Sequence, residues 1–460
     1  MVTAKETVTK LAEELSIVLP TGFPVEIGVL PSNPTTFFGK RLKLFQPPTP
    51  MIVTRVGIAS GHRETLYLAC DVEIGSSGYN PKLISLKSHL GPSLSLHSVR
   101  TKERVARLQK GINSVVQESQ LKDTFVCLSM PGVSHESHLK DAKDLIAQIQ
   151  GMSKSSNLVI DDTVAGLIAG KGNLNGICAF SGSGSSVLNG SPLRLLPEIA
   201  PRPFKVDGYG PLLGDRGSGF RISVELLSRA LKLWDMIGCD DIHKNPELDL
   251  LYRWLVAGDS KLRDINGTQV WFDTLISRSL SQSLGEHEPD ILPWSVSLAH
   301  LNRTAVREVD NAYRTGTLEK ESKGPNSALS IASTAISRAA LDMATSTRIA
   351  IDSSGETDDT SLPIVCQGGM FINSDYYFNE YKKNMEGYKG EISRSDFSPV
   401  VGALTVSVNT AIKAAPGEIE TPQKTSSIYS SYSNVVDFIK ENLPRVENSE
   451  KFWYSIKRSS

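Results

Sequence analysis

The sequence of residues 51–71, MIVTRVGIASGHRETLYLACD, decides the fold class. It begins with an apolar, β-branched run that reaches Ile58, passes through the small residues 59–61, and becomes apolar again from Thr65. Two such runs on either side of a tight turn of small residues predict a β-hairpin.

The next part of the chain alternates between helical and extended patterns. Apolar residues keep a helical period over 105–120 and again over 139–149. Short apolar runs at 125–130 and 157–160 predict buried strands. The sequence therefore predicts a self-contained unit of hairpin, helix, strand, helix and strand, which ends on the acidic pair that contains Asp162.

A second unit begins in the same way. A short apolar run at 176–180 leads into a turn rich in glycine and serine at 181–186, and residues 187–190 return as a partner strand. The stretch 222–352 has mostly helical patterns. Two halves that each open with a strand, a small-residue turn and a strand predict a duplicated α/β fold.

Composition and charge narrow the class of protein. The chain has 460 residues, a formal net charge of -1 and 40% hydrophobic residues. A balanced charge argues against nucleic acid or an anionic membrane as the partner. Five cysteines without a CxxC pair argue against a disulfide framework or a regular zinc site. With neither a secretory signal pattern nor an apolar run of about 20 residues, we expect a cytoplasmic protein.

Three glycine-rich turns, at 57–61, 181–186 and 367–370, each follow a short apolar strand. Glycine lets a backbone approach a phosphate closely, and successive N–H groups form an anion-binding nest. None of the three turns has the GxxxxGK[ST] pattern of a P-loop, and none is a GxGxxG that opens a helix. A single turn of this kind is often structural, but three together favour phosphate binding.

The acidic pair Asp161 and Asp162 follows the predicted strand at 157–160. Ligands bind at the carboxyl ends of strands in open α/β sheets, and a carboxylate there can accept the proton of an attacking hydroxyl group. An aspartate in this place can also cap the helix that follows it. Both interpretations stay open, with one role for each residue.

The segment 208–219 carries five glycines around Asp215 and Arg216. Such a loop can pass close to a ligand while Asp215 faces a sugar hydroxyl group or a hydrated Mg²⁺. The alternative is a surface Ω-loop, which is less favoured because glycines without a use lose conformational entropy on folding.

The motifs together resemble those of the N-acetylglucosamine kinases and the related BadF/BadG-type ATPases, in the superfamily of actin, heat-shock ATPases and sugar kinases. Residues 159–165 resemble the strand that ends in the catalytic aspartate, and residues 180–185 resemble a second phosphate loop. Residues 208–218 are similar to a GWGxxxGDEGS signature. Residues 366–371, with the helix predicted from Pro399, resemble an adenosine motif.

The resemblance implies a duplicated actin-like (ribonuclease H-like) fold, with two domains that close on ATP, Mg²⁺ and an amino sugar whose 6-hydroxyl group is phosphorylated. Asp162 would be the catalytic base. The implied sugar-binding residues are Asn80, Asp162, Gly208 and Asp215. The implied ATP-binding residues are Gly182, Ser183, Gly184, Ser185, Gly368 and Gly369. Ser60 and Gly61 would form a degenerate first phosphate loop.

The sequence departs from the family pattern at two places. The first phosphate loop of the family carries an acidic residue that helps to hold Mg²⁺, and here either Ile58 or Ala59 takes that position, depending on the register. Arg216 stands where the GDEGS signature has glutamate. The sequence therefore leaves the identity of any metal ligand open.

Domains and function follow as expectations. Residues 1–50 would form an extension, residues 51–165 a first domain completed by 435–460, and residues 166–434 a second domain with helical insertions. The leading function is phosphorylation of N-acetyl-D-glucosamine to its 6-phosphate. The alternatives are a weak or inactive homologue that senses a sugar or nucleotide, and an ATPase of the BadF/BadG type. Small molecules are the expected partners, and a homodimer is compatible with the sequence.

Overall fold

A computed structural model describes most of the chain beyond residue 50. The described residues are 51–61, 64–74, 82–94, 99, 101–133, 136–152, 157–190, 205–237, 244–258, 298–322, 324–353, 362–413 and 435–445. The predicted extension 1–50 and the predicted sugar ligand Asn80 lie outside these residues.

The first half of the chain forms a five-stranded sheet of order β3-β2-β1-β4-β5. Its strands are β1 (Met51–Ser60), β2 (Glu64–Ile74), β3 (Lys82–Pro92), β4 (Phe125–Met130) and β5 (Asn157–Asp161). The strands β1, β2 and β3 are antiparallel, whereas β1, β4 and β5 run parallel to one another. Helix α1 (Thr101–Val115) lies between β3 and β4 in the chain, and helix α2 (Glu136–Ala147) connects the parallel strands β4 and β5.

The second half repeats this arrangement. Its strands are β6 (Ile177–Ser181), β7 (Ser185–Asn189), β8 (Lys205–Asp207), β9 (Ile364–Gln367) and β10 (Ile392–Arg394). Their order is β8-β7-β6-β9-β10, with an antiparallel side and a parallel side as in the first sheet. The same strand order occurs twice, which confirms the prediction of a duplicated actin-like α/β fold.

Helices cover the sheets and account for the remaining regular structure. In chain order they are α3 (Asp162–Lys171), α4 (Gly219–Ile237), α5 (Pro246–Gly258), α6 (Arg303–Arg314), α7 (Leu318–Glu321), α8 (Ala328–Asp352), α9 (Gly369–Asn373), α10 (Asp375–Asn384), α11 (Pro399–Lys413) and α12 (435–442). Among the described residues, no helix is long and apolar enough to cross a bilayer. The domain boundaries at 50, 165 and 434 stay predictions.

The two faces of the first sheet belong to different cores. Ile58 and Tyr67 pack with the residues of α1 and α2, whereas the neighbouring Ala59 packs with residues of α11 and α12. Gly57 is the point where α11 lies directly on β1, because a Cβ there would meet the backbone nitrogen of Leu404 well inside van der Waals distance. The close approach of helix to strand therefore depends on this glycine.

A second close approach joins α11 to α3. A Cβ on Gly402 would overlap the carbonyl oxygen of Ala165, so the two helices touch backbone to backbone. Because α3 begins at Asp162, this crossing fixes the helix that carries the predicted base.

The sequence patterns identified the long apolar elements and missed three strands. The hairpin of β1 and β2 and the strands β4, β5, β6, β7 and β9 occur where they are predicted. β3 is only half buried, so its pattern does not alternate cleanly. β8 and β10 have three residues each, too few for a periodic signal.

We predict that Gly402→Ala lowers the free energy of unfolding by ~1–3 kcal/mol, the usual range for overpacking. The loss should exceed the gain of ~1 kcal/mol that alanine brings to a helix, because the obstacle is a backbone carbonyl group that cannot rotate away. Urea unfolding of the full chain measures the change. Gly61→Ala is the control, since its Cβ meets only ordinary contact. Equal stability of the two variants would contradict the packing argument.

Candidate functional site

The site lies where strands of both sheets end. β1, β5, β6 and β9 end at Ser60, Asp161, Ser181 and Gln367 respectively. All the predicted ligand residues within the described part of the chain follow one of these ends or belong to the loop after β8. This is the edge at which open α/β sheets bind ligands.

Asp161 caps helix α3. Its carboxylate accepts a hydrogen bond from the backbone nitrogen of Thr163 at 3.1 Å and another from the Thr163 hydroxyl group. The capping role that the sequence left open for either aspartate thus belongs to Asp161. Asp162 is the first residue of α3, and its carboxyl group does not serve as the cap.

A buried ion pair joins the two sheets beside this cap. The ammonium group of Lys205, on β8, lies 2.8 and 2.9 Å from the two carboxylate oxygens of Asp161, at the end of β5. The Asp161 side chain is 0% exposed and that of Lys205 is 5% exposed. Burial alone raises the pKa of Asp161, but Lys205 and the hydrogen bonds outweigh burial, so the pKa of Asp161 lies below its usual value.

The pKa of Asp162 is raised to about 7. Burial is the largest cause, and the negative charge of Asp161 adds to it, while the charge of Lys205 acts in the opposite direction. A general base works best when its pKa lies near the working pH, because it is then both deprotonated and able to take a proton. The environment of Asp162 therefore suits a base at neutral pH.

Asp207 organises the loop that contains Asp215. Its carboxylate accepts hydrogen bonds from the backbone nitrogen atoms of Asp215 at 2.9 Å and Arg216 at 3.2 Å. It also accepts one from the hydroxyl group of Ser185 at 3.1 Å. Asp207 and Asp215 both have a positive φ, of 64° and 54°, a conformation that costs a non-glycine residue energy. The hydrogen bonds to the Asp207 carboxylate stabilise this strained backbone conformation.

The carboxylate of Asp215 faces the glycine-rich turn after β6. It accepts a hydrogen bond from the backbone nitrogen of Ser185 at 3.0 Å, and a Cβ on Gly184 would lie 3.1 Å from it. Burial raises the pKa of Asp215 to about 6, against the effect of the Ser185 hydrogen bond. Asp215 thus lies beside the predicted phosphate loop.

The turn after β6 has two backbone donors at its tip. The turn closes through a hydrogen bond from Gly182 N to Gly184 O at 2.8 Å. Gly182 O in turn accepts from Gly219 N at 2.9 Å. Among the described residues, none accepts a hydrogen bond from the backbone N–H of Ser183 or Gly184. Unpaired N–H groups on a glycine turn fit the oxygen atoms of a phosphate group.

The turn after β9 lies against the turn after β6. Gly368 has φ of 92°, and a Cβ there would overlap the backbone of Ser181. The side-chain amide of Gln367 donates to the carbonyl groups of Gly166 at 3.0 Å and Phe397 at 3.1 Å. The contact of Gly368 with Ser181 brings the second and third glycine turns together, while Gln367 joins the end of β9 to α3 and to the segment before α11. Gly369 follows as the first residue of α9.

The turn after β1 lacks the acidic side chain of the family pattern in either register. Ile58 and Ala59 are both buried and apolar, and Ser60 is buried with its hydroxyl group accepting from Leu94 N at 3.1 Å. The described residues contain no group of three or more metal-ligating side chains. Mg²⁺ commonly binds through phosphate oxygens and water, so a nucleotide could deliver it without such a group.

Gly208 and Arg216, which the sequence analysis also singled out, lie in the loop after β8. Gly208 has φ of 69° and packs against Ser186, and the side chain of Arg216 is exposed. Sequence reasoning missed Lys205 and Asp207. The signal available was two charged residues at alternate positions directly before the glycine-rich segment, which places both on one face of a strand.

We predict that Asp162→Asn stabilises the protein at pH 8 and leaves its stability near pH 4 unchanged. The unfolded carboxyl group ionises near pH 3.9 and the folded one near pH 7, so the parent loses stability as the pH rises between these values. The asparagine variant avoids this loss, and at ~1.4 kcal/mol per pKa unit we expect a difference of ~4 kcal/mol at pH 8. Urea unfolding at several pH values measures it. Asp144→Asn, on the exposed side of α2, is the control. A difference that is independent of pH would contradict the shifted pKa.

Comparisons with known proteins point to one family. No protein-family model matches the chain. An N-acetyl-D-glucosamine kinase of Dictyostelium discoideum is 28% identical over 195 residues, which cover 40% of this chain and 56% of the relative. An N-acetylmuramic acid/N-acetylglucosamine kinase of Clostridium acetobutylicum is 27% identical over 173 residues, 36% of this chain and 53% of the relative. The chain thus spans about half the length of the curated relatives it matches.

The similar solved structures have TM-scores below 0.5, although the alignments cover most of both chains. A protein of Chromobacterium violaceum, provisionally named an N-acetylglucosamine kinase, has a TM-score of 0.47 and 16% identity over 77% of this chain and 98% of that one. A protein of Porphyromonas gingivalis with the same provisional name has a TM-score of 0.43 and 14% identity, over 76% of this chain and 97% of that one. In sequence the chain is similar to curated N-acetylglucosamine kinases, and its motifs resemble those of the N-acetylglucosamine kinases and BadF-type ATPases.

Proposed function

We propose that the protein transfers a phosphate group from ATP to an amino sugar, specifically to the 6-hydroxyl group of N-acetyl-D-glucosamine. The observation that carries the proposal is that β8 links the base candidate to the phosphate-turn candidate. Lys205 binds the residue next to Asp162, and Asp207 binds both Ser185 and the loop of Asp215. The names of the sequence relatives support the sugar class.

Asp162 would act as the general base. Its carboxylate accepts the proton of the sugar 6-hydroxyl group while that oxygen attacks the γ-phosphorus atom, and ADP leaves with the electrons of the broken bond. There is little covalent chemistry for the protein in such a transfer, so positioning and charge do most of the work. A pKa of about 7 suits the proton transfer.

The remaining candidates would hold the two substrates. The backbone N–H groups of Ser183 and Gly184 would donate to phosphate oxygens, and Gly368 with Gly369 would lie beside the adenosine. Asp215 and Gly208 would contact the sugar, and the Asp215 carboxylate would accept a hydrogen bond from a sugar hydroxyl group. Mg²⁺ would enter with the phosphates of ATP, and we assign no protein side chain to it.

One observation favours a second candidate, a sugar or nucleotide sensor without turnover. The family pattern has an acidic residue at the end of β1, and Ile58 and Ala59 are both apolar and buried. A cleft that keeps its sugar and phosphate contacts but handles Mg²⁺ poorly would bind ligands and transfer phosphate slowly. A BadF-type ATPase would instead release phosphate without a sugar acceptor.

We predict sugar-dependent release of ADP when the full chain is assayed with ATP, Mg²⁺ and a panel of amino sugars. Asp162→Asn should reduce this turnover by roughly several hundred-fold, the order expected when a general base is removed. Asp144→Asn is the matched control, because it makes the same chemical change on the exposed side of α2.

The outcomes separate the candidates. Turnover with N-acetylglucosamine that depends on Asp162 supports the kinase. Thermal stabilisation by the sugar without turnover supports the sensor, and release of ADP that is independent of any sugar supports the ATPase.

A further inference from the structure

Lys205 links the two halves of the fold at the candidate base. It lies on β8 in the second sheet, and its partner Asp161 ends β5 in the first sheet. The contact is bidentate, at 2.8 and 2.9 Å, and both side chains are almost completely buried. Burying a charge pair costs free energy, because both groups lose their hydration. Only close and well-aligned contacts between the two groups compensate for that loss.

The salt bridge between Lys205 and Asp161 determines which of the two adjacent carboxyl groups, that of Asp161 or that of Asp162, can gain and lose a proton. Asp161 and Asp162 are adjacent, and the negative charge of Asp161 raises the pKa of Asp162. Two carboxylates this close cannot easily ionise together, so one of them must hold a proton or find a cation. Lys205 supplies the cation to Asp161, which leaves Asp162 as the carboxyl group that gains and loses a proton near neutral pH.

We propose that Lys205 is a positioning residue: by holding Asp161 ionised and fixed in the cap of α3, it leaves Asp162 as the proton-accepting group of the pair and ties that group to the second sheet. The proposal rests on the proposed function for its meaning in catalysis, but the geometry and the proton assignment stand on their own. In this proposal Lys205 acts on Asp162 through Asp161.

Strand β8 also positions Asp215, the other candidate carboxylate of the site. Lys205 and Asp207 are two residues apart on β8, and both are buried. Asp207 holds the backbone of Asp215, so one three-residue strand positions the surroundings of both candidate carboxylates. A strand that served only to extend the sheet would not need charged residues at both buried positions, where apolar side chains are usual.

Within the described part of the chain, the charged and titratable groups that act on Asp162 come from three strands. They are Asp161 on β5, Lys205 on β8 and Cys178 on β6. Burial raises the pKa of Cys178 well above its usual value, so its thiol group stays neutral near pH 7. Asp161 raises the pKa of Asp162 more than Lys205 lowers it. Asp161 and Lys205 thus shift the pKa of Asp162 in opposite directions. Variants that lack only one of the two residues therefore separate their effects.

The test is a titration of the Asp162 carboxyl group by NMR. The full chain is labelled with ¹³C at the aspartate carboxyl groups, and the Asp162 signal is identified by its loss in Asp162→Asn. The midpoint is then measured in the parent, in Lys205→Arg, Lys205→Met and Asp161→Asn, and in the double variant Asp161→Asn with Lys205→Met. This titration does not require turnover, so it is independent of the kinase assay.

We expect the midpoints to follow a fixed order. Asp161→Asn gives the lowest value, because the repulsion is gone and the ammonium group remains. The double variant lies between it and the parent, and Lys205→Arg stays near the parent. In Lys205→Met the buried Asp161 loses its cation, so we expect the two carboxyl groups to share one proton and Asp161 to titrate near neutral pH as well. If Lys205→Met does not fold because it leaves a buried charge unpaired, the other four proteins still give the order.

A midpoint in Asp161→Asn that equals or exceeds the parent value would overturn the proposal, as would a midpoint that is the same in all variants. If the order holds but no sugar is phosphorylated, the positioning role stands and the proposed function fails. If phosphorylation is found but the order does not hold, Lys205 is only a structural contact.

Discussion

The salt bridge between Lys205 and Asp161 is the interaction on which the rest of the site depends. It is buried, bidentate and placed where a strand of the second sheet meets the end of a strand of the first. It holds the cap of α3 and therefore the direction in which that helix begins. Asp162 follows directly, so this contact helps to position the candidate base and modifies its pKa, which burial mainly raises.

Close backbone packing provides the rigid support for that contact. Gly57 lets α11 lie on β1, Gly402 lets α11 touch α3, and Gly368 lets the turn after β9 reach the turn after β6. Each glycine lies where a Cβ would overlap backbone atoms of another element, and such atoms cannot move aside as a flexible side chain can. The duplicated sheets are thereby joined through small residues, while the charged groups lie at the strand ends.

Much of the fold could be predicted from the sequence, because long apolar strands and amphipathic helices have clear periods. The hairpin at 51–71 and its repeat after Gly176 predicted the duplication, and the glycine turns predicted the strand ends at which the candidate site lies. The contact between Lys205 and Asp161 could not be predicted, because 44 residues separate the partners and a three-residue strand has no period. Nor could the sequence decide which aspartate caps α3, since both are suitable caps and only the path of the backbone distinguishes them.

The central claim is that this cleft transfers phosphate to a sugar hydroxyl group with Asp162 as the base. The most direct measurement is ³¹P NMR of the products after the full chain is incubated with ATP, Mg²⁺ and N-acetylglucosamine at pH 8. The account predicts a phosphate monoester on the sugar 6-oxygen, formed in a one-to-one ratio with ADP. Inorganic phosphate as the product, or ATP that remains unchanged, would contradict it.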